Sequence, residues 1–116
     1  MKINPEKQDV KEWIHVLSEA SRGKHYPALW KMVRGFVTVP SRRRVSVNLY
    51  KLNKHTKDGD NVIVPGKILS VGSIDHKINV AAIEFSAPAR QSLKLANCKI
   101  LTIKEMVKAD GVHLII

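Results

Sequence analysis

Asp58-Gly59-Asp60-Asn61-Val62-Ile63-Val64-Pro65-Gly66-Lys67-Ile68-Leu69 is where the grammar of the chain changes. Before it, apolar residues recur at helical spacing; from it onward they come in short runs separated by Gly, Pro and Asp, the pattern of strands and turns. Asp58-Gly59-Asp60 reads as a turn, Val62-Ile63-Val64 as a strand of buried type, Pro65-Gly66 as another turn, and Ile68-Leu69 with Val71 as a second short strand. Gly72 to Lys77 forms a loop, and Ile78 to Phe85 reads as the longest strand. Ser86 then caps a helix with Pro88 in its first turn and Leu93 and Leu95 along it, and Asn97 supplies a left-handed stop. Ile100-Leu101 is a further strand. Thr102 and Glu105 have the spacing of a capping box for a short helix through Val107, Gly111 ends it, and Val112 to Ile116 closes as a strand. Strands alternating with short helices predict an α/β layer structure for this half.

Working back toward the N-terminus, Val10, Trp13, Ile14 and Leu17 lie on one helical stripe, with Lys11, Glu12, His15 and Glu19 away from it. Pro27 opens a second helix whose predicted apolar face is Leu29, Met32, Val33 and Phe36, with Lys31 and Arg34 off it; Pro40 ends it at the latest. Ser41-Arg42-Arg43-Arg44 follows, then the alternation Val45, Val47, Leu49. Asn48 or Ser46 can cap a short helix through Leu49 and Leu52, which would turn Tyr50, Lys51 and Lys54 outward, so helix and strand both remain open here. The expected organisation is one domain over residues 1–116, with a basic helical half (1–57) and an α/β scaffold half (58–116).

The charge is as unevenly spread as the apolar pattern. The chain carries 20 Lys+Arg against 10 Asp+Glu, a net charge of +10. No acid stands between Glu19 and Asp58, whereas Arg22, Lys24, Lys31, Arg34, Arg42, Arg43, Arg44, Lys51, Lys54 and Lys57 place ten bases there. The remainder, ten bases and ten acids, is neutral. A charge excess confined to one segment repels itself unless a polyanion neutralises it, and solubility alone does not require 38 residues without an acid. The segment therefore points to nucleic acid.

Other chemistries fit the residues poorly. Arg34-Gly35-Phe36-Val37-Thr38-Val39 resembles an RNA-recognition-motif signature, but Thr38 and Ser41 stand where stacking aromatics belong. Gly66-Lys67 lacks the spacing of a phosphate-binding loop, and Ile68 replaces its Ser or Thr; what remains is a tight turn presenting Lys67 to a single phosphate. Asp58, Asp60 and Asp75 are candidate ligands for a nuclease metal, but their ordinary role is turn closure. The five histidines show no metal-ligand spacing; His25, His55 and His76 read as polar contacts near RNA and His113 as an edge position. Cys98 reads as a small buried hydrophobe, and its lack of an intrachain partner fits a reducing, cytosolic home. Met1 to Pro5 carries charge without an apolar region behind it, and no apolar run approaches a membrane span. Only Tyr26, Trp30 and Tyr50 are left to stack on bases, which favours recognition of folded RNA through phosphates and shape. Arg42-Arg43-Arg44 is the sharpest feature, since guanidinium groups hold phosphates bidentately and stack on exposed bases. A general nucleic-acid packaging protein is the alternative of the same charge, and a metal-dependent nuclease the alternative of a different class.

Val47-Asn48-Leu49 through Lys57-Asp58-Gly59-Asp60, Val62-Ile63-Val64-Pro65-Gly66-Lys67, Asp75-His76-Lys77 and Val80-Ala81-Ala82 resemble large-subunit ribosomal protein eighteen of the archaeal and eukaryotic type, a distant relative of bacterial large-subunit protein fifteen. The resemblance runs from about Trp13 to the C-terminus, and the short chain is similar to archaeal members. It differs at Ser70 and Asn97, where glycines are expected, and in a short segment at Asp110-Gly111. The resemblance implies helices followed by an irregular superhelix of strand-strand-helix units. It also implies large-subunit ribosomal RNA and neighbouring ribosomal proteins as partners, a location on cytoplasmic ribosomes, no cofactor, no catalysis, no membrane and no small-molecule substrate. The expected RNA-binding residues are Arg22, Lys24, Lys31, Arg34, Arg42, Arg43, Arg44, Tyr50, Lys51, Lys54, Lys57 and Lys67.

The scaffold reading requires Val62, Val64, Val80 and Ala82 to be interior. Val80→Asp is therefore expected to destabilise by several kcal/mol, on the order of the whole stability of such a domain. Thermal melting checks it, and a variant that melts like the parent would remove the core from this place.

Overall fold

Strand β2 (Asn61–Leu69) is the axis of the molecule, and every strand that touches it runs parallel to it. The computed structural model describes residues 9–116, so the N-terminal reading at Met1 to Pro5 lies outside the described residues. Strand β3 (Asn79–Phe85) lies along one side of β2, and the two-residue β4 (Lys99–Ile100) extends the sheet beyond it. The other side of β2 is shared: β1 (Ser46–Asn48) pairs with Lys67 to Leu69, and β5 (Val112–Leu114) pairs with Asn61 to Ile63. Parallel sheets are covered on both faces, which is why Val62-Ile63-Val64 and Val80-Ala81-Ala82-Ile83 are apolar without a break.

Two cores result, one on each face. Val62, Val64, Val80 and Ala82, all fully buried, point to one face with Leu49 and Leu52 of α3 (Leu49–His55) and Ala89 and Leu93 of α4 (Ala87–Leu95). Ile63, Ala81 and Ile83 point to the other. There they meet Trp13 and Leu17 of α1 (Val10–Ser21), Trp30, Val33 and Val37 of α2 (Pro27–Val37), and Ile103 and Met106 of α5 (Ile103–Met106). Crossovers between parallel strands are right-handed, so connections that advance across the sheet share a face and one that returns takes the other. The connections β1–α3–β2 and β3–α4–β4 advance and cover the first face, while β4–α5–β5 returns and covers the second. The fold is thus mixed α/β, with N-terminal helices followed by strand-helix units in a parallel sheet.

Most local signals hold. The hydroxyl of Ser86 accepts from the N–H of Ala89, Thr102 and Glu105 close a capping box, and Asn97 takes a left-handed φ of 61°. The ambiguous stretch after Val45 resolves into both alternatives, a three-residue strand and then a helix entered at Asn48. Ser70 does not have the positive φ that would have required glycine.

Four readings are corrected. Pro65-Gly66 is not a turn, and Ile68-Leu69 is not a separate strand: both lie within β2, which at nine residues is longer than the seven of β3. Between the pairs Val64–Ala82 and Lys67–Glu84, β2 has one residue more than β3, a bulge placed where proline offers no ladder N–H. The buried stripe of α2 is Trp30, Val33 and Val37, one position round from the expected face, which leaves Met32 58% exposed and Trp30 unable to stack on anything outside. Of the two leucines placed along α4, Leu93 is buried and Leu95 is 78% exposed.

Two glycines tie the basic half to the sheet. A Cβ on Gly66 would stand 2.0 Å from the carbonyl oxygen of Val45, which accepts the N–H of Lys67 at 3.0 Å. Gly72, at φ 88°, lies against Tyr50, where a Cβ would come within 2.5 Å of the tyrosine Cβ. Residues 70–78 link two parallel strands without a helix by running back along α3: the N–H of Tyr50 donates to Val71 and that of Asp75 to the side chain of Asn53.

The glycine at position 66 has no room and that at position 35, within α2, has open space around it. Gly66→Ala is expected to destabilise by at least about 2 kcal/mol, as overpacking against backbone does. Gly35→Ala is expected to stabilise by roughly 0.5–1 kcal/mol through helix propensity. Urea denaturation of the two variants tests both signs together.

Candidate nucleic-acid interface

The carboxylates of the described residues are committed to local work. Asp9 caps α1, Asp58 accepts the N–H of Lys77 at 3.0 Å, and Asp60 accepts the N–H of Lys57 at 2.8 Å. Glu105 accepts the backbone N–H of Thr102, a bond that holds its carboxyl below the usual range. The others meet cationic or imidazole groups: Glu12 with Lys104, Glu19 with His15, Asp75 with His76, Glu84 with Lys67 and Asp110 with His25. None of the ten bases from Arg22 to Lys57 forms an ion pair with a described Asp or Glu side chain. Their mutual repulsion is left uncompensated within this part of the protein.

These bases fall into three groups. In the first, Arg22 caps the C-terminal end of α1, Lys24 follows it, and Lys31 and Arg34 stand exposed on α2, the Arg34 Nε donating to the Ser18 hydroxyl at 2.8 Å. The second is the arginine run. Ser41 to Arg43 forms a single 3-10 turn with Arg42 and Arg43 exposed. Arg44 is half-buried and its Nε donates to the Val37 carbonyl at 3.2 Å, anchoring the run to the end of α2. Arg44 also lines a notch of about 190 Å³ with Ser46, Gly66, Lys67 and Glu84. Lys67 lies here in β2 rather than on a loop, with its ammonium 3.3 Å from Glu84. The third group is on α3, where Tyr50 is 55% exposed, Lys54 is exposed, and Lys51 donates to the carbonyl of Ile116; Lys57 follows the helix.

Sequence reasoning missed two neighbours of these groups. Val71, expected in a strand, stands 61% exposed beside Tyr50. Lys104 and Lys108, far along the chain, join Lys24 and His25 around an open groove of about 520 Å³ between α1 and α5. Only the chain reversal through α5 brings them together, so no local signal announced them.

Of the histidines, His76 needs correction, while His25 and His55 stay exposed. His76 is largely enclosed, its Nε2 at 2.6 Å from the Thr56 hydroxyl and its Nδ1 at 3.0 Å from Asp75, whose carboxyl this contact holds low. It is a brace between α3 and the loop before β3 and is not free to meet RNA. The exposed His25 contacts the Ala109 carbonyl. The Cys98 thiol is in the core, where burial raises its pKa. Asp58 and Asp60 close turns, the role their sequence context assigns, and among the described residues no three His, Cys, Asp or Glu side chains converge as a metal site. Among the described residues no helix is long and apolar enough to cross a membrane.

No protein-family model matches the chain. Individual relatives do. The chain is 37% identical over 94 residues to large ribosomal subunit protein eL18 of Sulfurisphaera tokodaii, covering 81% of this chain and 75% of the relative. It is 42% identical over 93 residues to the eL18 of Pyrobaculum aerophilum, covering 77% and 76%, and 38% identical over 83 residues to that of Methanothermobacter thermautotrophicus, covering 72% and 69%. With such identity sustained over most of both partners, this chain belongs to the large ribosomal subunit protein eL18 family.

Proposed function

We propose that the chain is a structural constituent of the large subunit of cytoplasmic ribosomes and holds folded ribosomal RNA through residues 21–57 and Lys67, with residues 58–116 as the scaffold of the same domain. The observation that carries this reading is the set of ten bases without a described Asp or Glu side-chain partner, held on a parallel sheet. Arg42 and Arg43 are the leading phosphate contacts, since both are exposed and their turn is fixed by the Arg43 N–H to Pro40 carbonyl bond of 2.8 Å. Arg22, Lys24, Lys31, Arg34, Lys51, Lys54 and Lys57 extend the contact, and Tyr50 offers a ring. Arg44 and Lys67 serve partly as internal ties, to Val37 and Glu84. Neighbouring ribosomal proteins complete the surroundings; the reading involves no catalysis, cofactor or small-molecule substrate.

If phosphate neutralisation dominates, log affinity falls linearly with log salt, by about 0.7 to 0.9 per phosphate contacted. Arg42→Ala with Arg43→Ala is expected to make that slope shallower by about 1.4 to 1.8 on a large-subunit RNA fragment. Lys94→Ala with Lys99→Ala removes the same charge from the balanced half and is expected to leave the slope almost unchanged. Equal changes in the two variants would mean that the overall field binds RNA and not this segment. Duplex DNA as competitor separates the packaging alternative, which requires DNA to bind as well as ribosomal RNA.

A further inference from the structure

The acid-free segment does not form one patch. Trp30, Val33 and Val37 seat α2 against Ile63, Ala81 and Ile83, whereas Leu49 and Leu52 seat α3 against Val62, Val64, Val80 and Ala82. Successive side chains of a strand point to opposite faces, so α2 and α3 lie on opposite sides of the same two strands. Their solvent-facing sides consequently look away from each other. On α2 that side carries Lys31 and the 58% exposed Met32; on α3 it carries Tyr50, Lys51 and Lys54. Arg42 and Arg43 lie on the connection between α2 and β1, which carries the chain from one layer to the other.

The shortest extent of the backbone is 24 Å, with side chains adding to it on both sides. A duplex docked on one outward face presents its phosphates and shape to that face and leaves the opposite one in solvent. Neither set of bases has a described Asp or Glu side-chain partner, so repulsion persists on both faces; on α3, Lys51 donates to the oxygen of Ile116 and Lys54 stands exposed. We propose that this protein is a wedge between two RNA segments that are apart in sequence, one against α2 and one against α3, with Arg42 and Arg43 spanning the edge between them. The inference rests on the RNA-binding reading and adds to it the number and placement of the RNA surfaces.

Tethered hydroxyl-radical cleavage tests it. Met32→Cys and His55→Cys each place an attachment point on an exposed position of one of the two helices, and the unsubstituted chain, whose Cys98 is buried, is the control. Each labelled chain is bound to large-subunit ribosomal RNA and the cleaved nucleotides are mapped. The expected result is two sets of cleavages in stretches that are not contiguous in the RNA. In parallel, Lys31→Ala with Arg34→Ala, and Lys51→Ala with Lys54→Ala, should each make the salt slope shallower by about 1.4 to 1.8 and lose protection of only one of the two stretches. Cleavage of a single stretch from both positions overturns the wedge, as does silence from one face while the other cleaves, which would assign the silent face to a protein neighbour. Absence of any ribosomal RNA binding by the unsubstituted chain would overturn the RNA-binding reading itself, a result distinct from either.

Discussion

Val62, Ile63 and Val64 leave water only if both faces of β2 are covered, and that requirement organises the rest of the chain. One face takes α3 and α4 and the other α1, α2 and α5, so helices from before and after the sheet must converge on a single strand. The basic half is therefore not an appendage. Its β1 is a strand of the sheet, its α3 helps to cover one face, and its α1 and α2 cover the other together with α5. Burial of the order of 25 cal/mol per Å² of apolar surface is what keeps these cations on a fixed frame despite their mutual repulsion.

Charge and packing thus oppose one another within the same segment. Every described acid serves a cap, a turn or an imidazole or ammonium neighbour, and none serves the bases between Arg22 and Lys57. If the RNA contact proposed above forms, the free energy that the fold forgoes in self-repulsion is recovered on binding. The glycines at 66 and 72 bear on the same economy of space. They let Val45 and Tyr50 sit directly on the sheet and its following loop, which limits how far the arginine run and the α3 face can shift relative to each other.

What could be read from sequence was what depends on nearest neighbours. Capping at Ser86 and Thr102, the left-handed stop at Asn97, the buried pairs Val62/Val64 and Val80/Ala82, and the acid-free stretch all follow from short-range chemistry. The failures share a different cause. Pro65-Gly66 looks like a turn because its composition is that of a turn, yet the close approach of Val45 from sixty-odd atoms of backbone away makes it a bulge. Trp30 looked available because the stripe Leu29-Met32-Phe36 is equally periodic, and only the sheet decides which stripe is buried. At the candidate interface the individual bases were legible, but their division between two opposite faces was not, because it is a property of the topology.

β5 is synthesised after β4 but pairs with β2, on the side opposite to β3. Pairings of such long sequence separation form slowly, because loop closure must precede any gain from contact. While the nascent chain is still being made, the Asn61 to Ile63 end of β2 consequently has an open edge, and open apolar edges template association between chains. Until β5 docks, the same uncompensated bases that strain the segment internally also repel neighbouring copies of the chain, so the charge excess guards the open edge.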